Sequence, residues 1–164
     1  MAFDCQCSIR LFLKDYFMFD KRGIYERFAQ FFPDPRPITV STMLNIHYST
    51  AFQWKVGKTQ VPWARMKKLV DEQHISWDWL IEGNGEKYRQ SDTEPCQPFI
   101  VQAINERYFS LFPVLSQAKL GREIGVHQTT VFKWQHGLIQ VPWARLQNAV
   151  HHKGVTWEWL LEGR

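Results

Sequence analysis

The segment 116–137, SQAKLGREIGVHQTTVFKWQHG, predicts two short helices joined by a tight turn. Ser116 has the side chain of a helix N-cap, and the helix that follows it would cover 117–124. Gly125 can adopt the left-handed backbone conformation at little cost, as a tight turn requires. A second helix would run from Gln128 to about residue 136 and end at Gly137.

Small and apolar residues of this segment fall where two helices that meet across a tight turn must pack. Gly121 is small at the point where the helices would touch, and Gly125 lies four residues later. The apolar positions that we expect to be buried are Leu120, Ile124, Val126, Val131 and Trp134. This spacing is typical of a helix-turn-helix.

The flanking residues predict three further helices. Apolar residues recur at helical spacing over 99–112, and Pro113 would stop that helix. Pro142 fits the first position of a helix that extends to about residue 152. Thr156 could cap a short helix ending at Gly163. With five short helices and no strand pattern, the predicted fold class is all-α.

The whole pattern occurs twice, at an offset of 80 residues. VPWAR is found at 61–65 and again at 141–145, and all eight tryptophans form pairs at the same offset. Aligned without a gap, 24–83 and 104–163 share 22 identities over 60 positions. A repeat of this length predicts two homologous domains. The first copy keeps the apolar set as Val40, Leu44, Ile46, Ala51 and Trp54.

The repeat sets the expected domain organisation. Residues 1–23 would form an N-terminal extension, helical and packed on the first domain. Residues 24–83 and 99–164 would form two helix-turn-helix domains. Residues 84–98 contain glycine, two prolines and many polar residues, which is typical of an ordered turn followed by a flexible connection.

The segment 116–137 resembles the DNA-binding domain of lambdoid phage CI and Cro repressors, and VTWEWLLEG at 155–163 resembles the C-terminal end of the CI-repressor type. The resemblance covers about 120 residues in the two copies and implies tandem five-helix domains of lambda-repressor-like type. The second copy matches well. In the first copy Pro37 replaces Gln117 and Asn45 replaces the turn glycine. A glutamine at the first position contacts phosphate and braces the recognition helix in that family.

The resemblance implies that the second helix of each pair enters the major groove of DNA. The candidate base-reading residues are His127, Gln128, Thr129, Thr130 and Lys133 in the second copy, and His47, Tyr48, Ser49, Thr50 and Gln53 in the first. Such side chains can bond base edges or contact a thymine methyl. Because the sets differ at three of five places, we expect the domains to read different sequences. The alternative is a solvated polar surface.

Further polar residues are candidates for phosphate contacts, which position a protein without reading sequence. They are Gln117, Lys119 and Arg122 in the second copy, Lys55, Lys58, Thr59 and Gln60 in the first, and Gln140 after the second recognition helix. Arg65 and Arg145 lie within the two VPWAR runs. Each could reach phosphate or make an internal ion pair, and the sequence leaves both alternatives open.

The aromatic residues are expected to serve mainly in packing. Paired tryptophans in small helical domains are more often core than base-stacking groups. Phe52 and Phe132 follow core positions, so we expect both to be half exposed and to serve an inter-domain or dimer contact.

Composition argues against other classes. The chain has 164 residues, 22% charged and 45% hydrophobic, which is typical of a soluble globular protein. No apolar run is long enough for a membrane helix. Cys5, Cys7 and Cys96 do not form a disulfide framework, and neither these nor the histidines have zinc-site spacing. We expect a cytoplasmic, nucleoid-associated protein without metal or cofactor. No catalytic motif is present, so no enzyme is expected.

These observations predict sequence-specific binding of double-stranded DNA by a transcriptional regulator, a repressor of phage or mobile-element type. A net charge of +4 and an isoelectric point near 9.0 suit such a partner. Further association into a homodimer is left open. A protein-interaction scaffold or co-regulator with degenerate helix-turn-helix domains is the alternative, and a nuclease or integrase accessory factor is a third.

Overall fold

The computed structural model describes residues 19–89, 99–112 and 115–163. Those ranges contain ten α-helices and no strand, which confirms the all-α class. A single antiparallel bridge joins Ile75 and Tyr88. The chain divides into two compact units. We call Asp20–Gln97 the N-terminal unit and Pro98–Arg164, with which Phe19 is grouped, the C-terminal unit.

Each unit contains five helices in the same order. In the N-terminal unit they are α1 (Lys21–Ala29), α2 (Pro37–Leu44), α3 (Tyr48–Lys55), α4 (Trp63–Gln73) and α5 (Trp77–Glu82). In the C-terminal unit they are α6 (Val101–Ser110), α7 (Gln117–Glu123), α8 (Gln128–Gln135), α9 (Trp143–Lys153) and α10 (Trp157–Glu162).

Helix ends lie within two residues of the predicted ones in the C-terminal unit. The hydroxyls of Ser116 and Thr156 accept hydrogen bonds from backbone N–H groups of α7 and α10, as expected of N-caps. Gly163 ends α10 in the left-handed conformation. Pro142 differs from the prediction. It is the extended residue before α9 rather than the first helical residue.

The cores of the two units are built from matching residues. Four tryptophans are buried at two pairs of equivalent positions: Trp54, Trp77, Trp134 and Trp157. The other four are only half-buried. Of the predicted turn-flanking core, Leu44, Ile46 and Val126 are also half-buried because they border the exposed turns.

An arginine on the first helix of each unit holds the end of the last helix. Arg27 donates to the carbonyls of Leu80 and Ile81 at 2.8 and 2.6 Å, and Arg107 donates to those of Leu160 and Leu161 at 2.9 and 2.8 Å. Carbonyls at a helix C-terminus lack intrahelical partners, so each arginine satisfies two of them. Burial lowers the pKa of both guanidinium groups. Sequence reasoning missed this pair, although it is identical at the 80-residue offset.

The segment after α5 belongs to the N-terminal unit. Ser76 N–H donates to the Lys87 carbonyl at 3.0 Å, and Arg89 N–H donates to that of His74 at 2.8 Å. The Lys87 ammonium lies 4.6 Å from the centre of the Phe31 ring. The expected ordered turn is therefore present. The expected flexible connection lies at 90–98, outside the described residues.

The N-terminal boundary differs from the prediction. α1 begins at Lys21, three residues before the expected domain start, and the Asp20 carboxylate accepts from Gly23 N–H at 2.8 Å. Phe19 stacks on Trp143 within the C-terminal unit at 5.3 Å between ring centres. The expected helix over 1–18 lies outside the described residues.

Candidate nucleic-acid interface

The candidate site in each unit is a pair of short helices and the turn between them. In the C-terminal unit Gly125 adopts φ 68°, the left-handed conformation predicted for it. The backbone then closes with a hydrogen bond from Val126 N–H to the Gly121 carbonyl at 2.8 Å. A β-carbon on Gly121 would lie 2.7 Å from the Val126 carbonyl oxygen. The close approach of α7 to this turn therefore requires glycine.

The N-terminal unit makes the same turn with different residues. Asn45 adopts φ 50°, as expected for the residue that replaces glycine. Ile46 N–H donates to the Ser41 carbonyl at 3.0 Å. Ser41 is buried, and its hydroxyl donates to the Ile38 carbonyl at 2.9 Å. A side chain therefore fits where the C-terminal unit has none.

The two histidines predicted as base readers also cap the candidate recognition helices. Nδ1 of His47 accepts from Ser49 N–H, and Nδ1 of His127 accepts from Thr129 N–H, both at 3.3 Å. Each ring nitrogen also lies within hydrogen-bond distance of the same residue's hydroxyl, at 2.7 and 2.9 Å. These contacts fix the start of α3 and α8 and commit one ring nitrogen of each histidine to the fold.

The outward face of α8 is formed by residues at positions i, i+3, i+4 and i+7. These are Thr129, Phe132, Lys133 and His136, and all four are exposed. The equivalent residues of α3 are Ser49, Phe52, Gln53 and Val56, of which only Gln53 is half-buried. Two of the four positions on each helix belong to the predicted base-reading sets. Of the other two, Phe52 and Phe132 were expected to be half exposed at an inter-domain or dimer contact, and Val56 and His136 were not singled out.

The remaining candidate base-reading residues lie beside this face. Gln128 and Tyr48 are exposed at the first position of their helices. Thr130 and Thr50 are half-buried because each immediately precedes a core residue. No member of the two predicted sets is buried.

Some of the candidate phosphate residues are exposed, and others make contacts within their unit. Lys119, Arg122, Lys55, Lys58 and Thr59 are exposed, and Gln60 is half-buried. Gln117 donates to the Gln135 side-chain oxygen at 2.9 Å and thereby braces the end of α8. Pro37, at the equivalent position, is buried and has no side-chain donor for such a brace. The side-chain nitrogen of Gln140 is buried, which removes it from the surface.

Arg65 and Arg145 each make an internal contact, but with a backbone carbonyl rather than with the carboxylate of an ion pair. Arg145 donates to the Ile124 carbonyl at 2.7 Å, and Arg65 donates to the Leu44 carbonyl at 3.4 Å. Each guanidinium therefore caps the first helix of its helix pair and ties it to the fourth helix of the unit. The reason is geometric: the VPWAR run places this side chain over unpaired helix-end carbonyls.

A buried asparagine fixes the loop after α8, and sequence reasoning missed it. Asn105 donates to the carbonyls of Trp134 and Ile139 at 2.7 and 2.9 Å, and it accepts from Val141 N–H at 3.1 Å. Its side chain is fully enclosed. The equivalent residue of the N-terminal unit is Tyr25, whose hydroxyl donates to the Pro35 carbonyl at 3.1 Å.

The described ranges contain neither a cluster of metal ligands nor a membrane-spanning helix. No three His, Cys, Asp or Glu side chains group there as metal ligands would. No helix in these ranges combines the length and apolarity needed to cross a bilayer. The three cysteines lie at positions 5, 7 and 96, outside the described residues.

Comparison with protein-family models, with curated proteins and with solved structures found no match to this chain.

Proposed function

We propose that the chain is a sequence-specific double-stranded DNA-binding protein, a transcriptional regulator that acts as a repressor. Two helix-turn-helix domains of lambda-repressor-like type would each place one helix, α3 or α8, in a major groove. The observation that carries the proposal is the exposed face of these helices. In each unit a helix is locked by a tight turn, a capping histidine and a helix-capping arginine, and its outward residues lack any partner from the core.

Charge around these faces supports a polyanionic partner. Lys133 lies on the outward face of α8, and Lys119 and Arg122 are exposed on α7. Lys55 and Lys58 are exposed at the end of α3. The sequence contains no aspartate or glutamate in 46–61 or 124–141. Cations around a rigid helix face provide the phosphate contacts that orient a protein on a duplex.

Differences between the two faces support asymmetric recognition. Gln128 and Lys133 offer hydrogen bonds to adenine and guanine, whereas Tyr48 and Gln53 occupy the equivalent positions. The domains would therefore read unlike half-sites. Because they belong to one chain, binding of one raises the local concentration of the other, and two weak modules can bind tightly together.

Selection of duplexes from a random DNA library tests the proposal with the full chain. The native protein is expected to enrich a motif with two unlike halves about one helical turn apart. A Gln128→Ala/Thr129→Ala variant should lose one half, and the matched Tyr48→Ala/Ser49→Ala variant should lose the other. Affinity for the selected duplex should fall steeply with added salt, because phosphate contacts release counterions.

A protein-interaction scaffold is the second candidate, and one observation favours it. Tyr48, Phe52 and Val56 form an apolar stripe on α3, with 48%, 45% and 51% of their surfaces exposed. Exposed apolar patches often mark protein interfaces. Absence of any enriched motif, together with weak and salt-insensitive DNA binding, would reject the DNA-binding proposal in favour of this one.

A further inference from the structure

Each unit exposes a phenylalanine at the centre of the same helix face. Phe132 is 41% exposed and Phe52 is 45% exposed, at positions 80 residues apart. Each ring follows a fully buried residue, Val131 or Ala51, so the helix itself turns the ring away from the core. Large apolar side chains are costly to leave in water, and their repetition at one register points to a ligand that covers them.

Both rings are held in place along the helix. The Phe132 ring stacks on that of His136 with 4.0 Å between ring centres, and His136 Nδ1 lies 2.9 Å from the Phe132 carbonyl oxygen. The Phe52 ring lies 6.0 Å from that of Tyr48, with an interplanar angle of 27°. A ring already held by its neighbour loses less rotamer entropy on binding.

We propose that Phe132 and Phe52 are specificity-determining residues that contact thymine 5-methyl groups; this inference rests on the DNA-binding function proposed above. In the major groove the thymine methyl is the apolar group that a base edge presents, whereas guanine, adenine and cytosine present donors and acceptors that a phenyl ring would leave unpaired. On each face the ring lies between polar residues that can bond neighbouring bases, Thr129 and Lys133 in α8.

The composition of the two faces makes the inference more specific. In α3 the ring is flanked by Tyr48 and Val56, whereas in α8 the equivalent residues are Gln128 and His136. The half-site read by the N-terminal unit should therefore contain more than one thymine along the helix. The half-site read by the C-terminal unit should contain one thymine between bases read by hydrogen bonds.

A protein partner is the competing occupant of these rings, and charge disfavours it. Lys133 is adjacent to Phe132, Lys55 lies three residues after Phe52, and both lysines are exposed. A second copy of this chain would place the same cations against each other, which costs affinity. A duplex would instead neutralise these cations with its phosphates while its base edges meet the rings.

Replacement of each thymine by deoxyuridine in the selected duplex tests the inference with the full chain. Deoxyuridine removes the 5-methyl group and leaves the base pairing unchanged. At one thymine of the C-terminal half-site, affinity for the native protein should fall about fourfold, the value of one buried methyl group. Phe132→Ala should bind the thymine duplex with a similar or larger loss and be insensitive to deoxyuridine at that position. Phe52→Ala should behave likewise at the other half-site.

Ile100→Ala is the matched control, because Ile100 is an exposed apolar residue just before α6 and outside the two faces. It should keep the native response to deoxyuridine. If a motif is enriched but no thymine responds, or if Phe132→Ala responds as the native protein does, the inference is overturned while the proposed function stands. A loss of self-association in Phe132→Ala without a change in DNA affinity would also overturn it, in favour of a dimer contact. If no motif is enriched, both proposals fail.

Discussion

The two units contain the same five helices, but at one equivalent position of the first helix they use different residues to fasten it to the rest of the unit. In the C-terminal unit Asn105 reaches from α6 to three backbone groups around α8 and the loop that follows it. In the N-terminal unit Tyr25 occupies the same position on α1, and its hydroxyl bonds the Pro35 carbonyl before α2. One unit therefore fixes the segment after its candidate recognition helix, and the other fixes the segment before the helix pair.

The turns between the paired helices also have different residues at equivalent positions. Gly121 permits a close approach in one unit, whereas Ser41 fills the equivalent place in the other. The ties that do not differ are those that satisfy helix ends, Arg27 and Arg107 above all. Helix-end carbonyls have the same requirement in any sequence, whereas the loop and turn positions can be satisfied in more than one way. The hydrogen bonds shared by both units are therefore those that the five-helix order requires, and those that differ are specific to one unit.

Loss of the asparagine tie should give the largest difference between the units. Asn105→Ala removes the side-chain partner of the Ile139 carbonyl and of Val141 N–H, while the Trp134 carbonyl keeps its bond from Gly137 N–H. A buried polar group that loses its partner is costly. We expect the C-terminal unit to lose about 4 kcal/mol of unfolding free energy. Hydrogen exchange of the full chain, resolved by peptide, would detect the loss over α6 to α9. Tyr25→Phe is the matched control and should cost the N-terminal unit about 1 kcal/mol. Equal losses in the two units would contradict the comparison.

Substitution at the turn should give the next largest difference. Gly121→Ala places a β-carbon 2.7 Å from the carbonyl oxygen of Val126, a residue whose N–H donates to the Gly121 carbonyl. Because that neighbour cannot move freely, we expect a loss of about 2 kcal/mol. Ser41→Ala at the equivalent position should cost less than about 1 kcal/mol, because a β-carbon is already accommodated there. Urea unfolding of both variants measures the difference, and a neutral Gly121→Ala would show that α7 can shift.

Local chemistry explains which features the sequence could predict. The ends of α7, α8 and α10 follow from caps and glycines that act within four residues of themselves. The left-handed Asn45 followed from its alignment with Gly125. Asn105 could not be found in this way, because its three partners lie 29 to 36 residues further along the chain.

The candidate site was predicted in outline but not in the roles of its residues. The sequence predicted both histidines as base readers, but it did not reveal that each also caps its helix, because a hydrogen bond within one turn depends on the side-chain conformation. A signal was present: both copies have a hydroxyl residue two positions after the histidine. Arg145 was left between two roles because its acceptor, the Ile124 carbonyl, is a backbone atom that no side-chain pattern reveals. Phe132 was expected to be half exposed because it follows a core residue, and 41% of its surface is exposed.

Alkaline pH should produce the smallest difference, and it depends on a buried tyrosine of the C-terminal unit. Burial raises the pKa of Tyr108 from 10.0 to about 12, with Arg145 offsetting part of that effect. Between these values the unfolded chain releases the phenol proton and the folded chain keeps it, so stability falls as pH rises above 10. At pH 11 the loss is about 1.4 kcal/mol. The equivalent residue of the N-terminal unit is Phe28.

Tyr108→Phe should remove this part of the alkaline loss, because it gives the C-terminal unit the residue that the N-terminal unit already has. Urea unfolding followed by circular dichroism at pH 9 and pH 11 measures it: the difference between the two pH values should shrink by about 1.4 kcal/mol in the variant. Tyr25 also has a raised pKa, through burial and then the charge of Asp34, so some alkaline loss should remain in Tyr108→Phe. An unchanged pH dependence in the variant would mean that the Tyr108 phenol titrates freely, and that its burial against the C-terminal core does not oppose its ionisation.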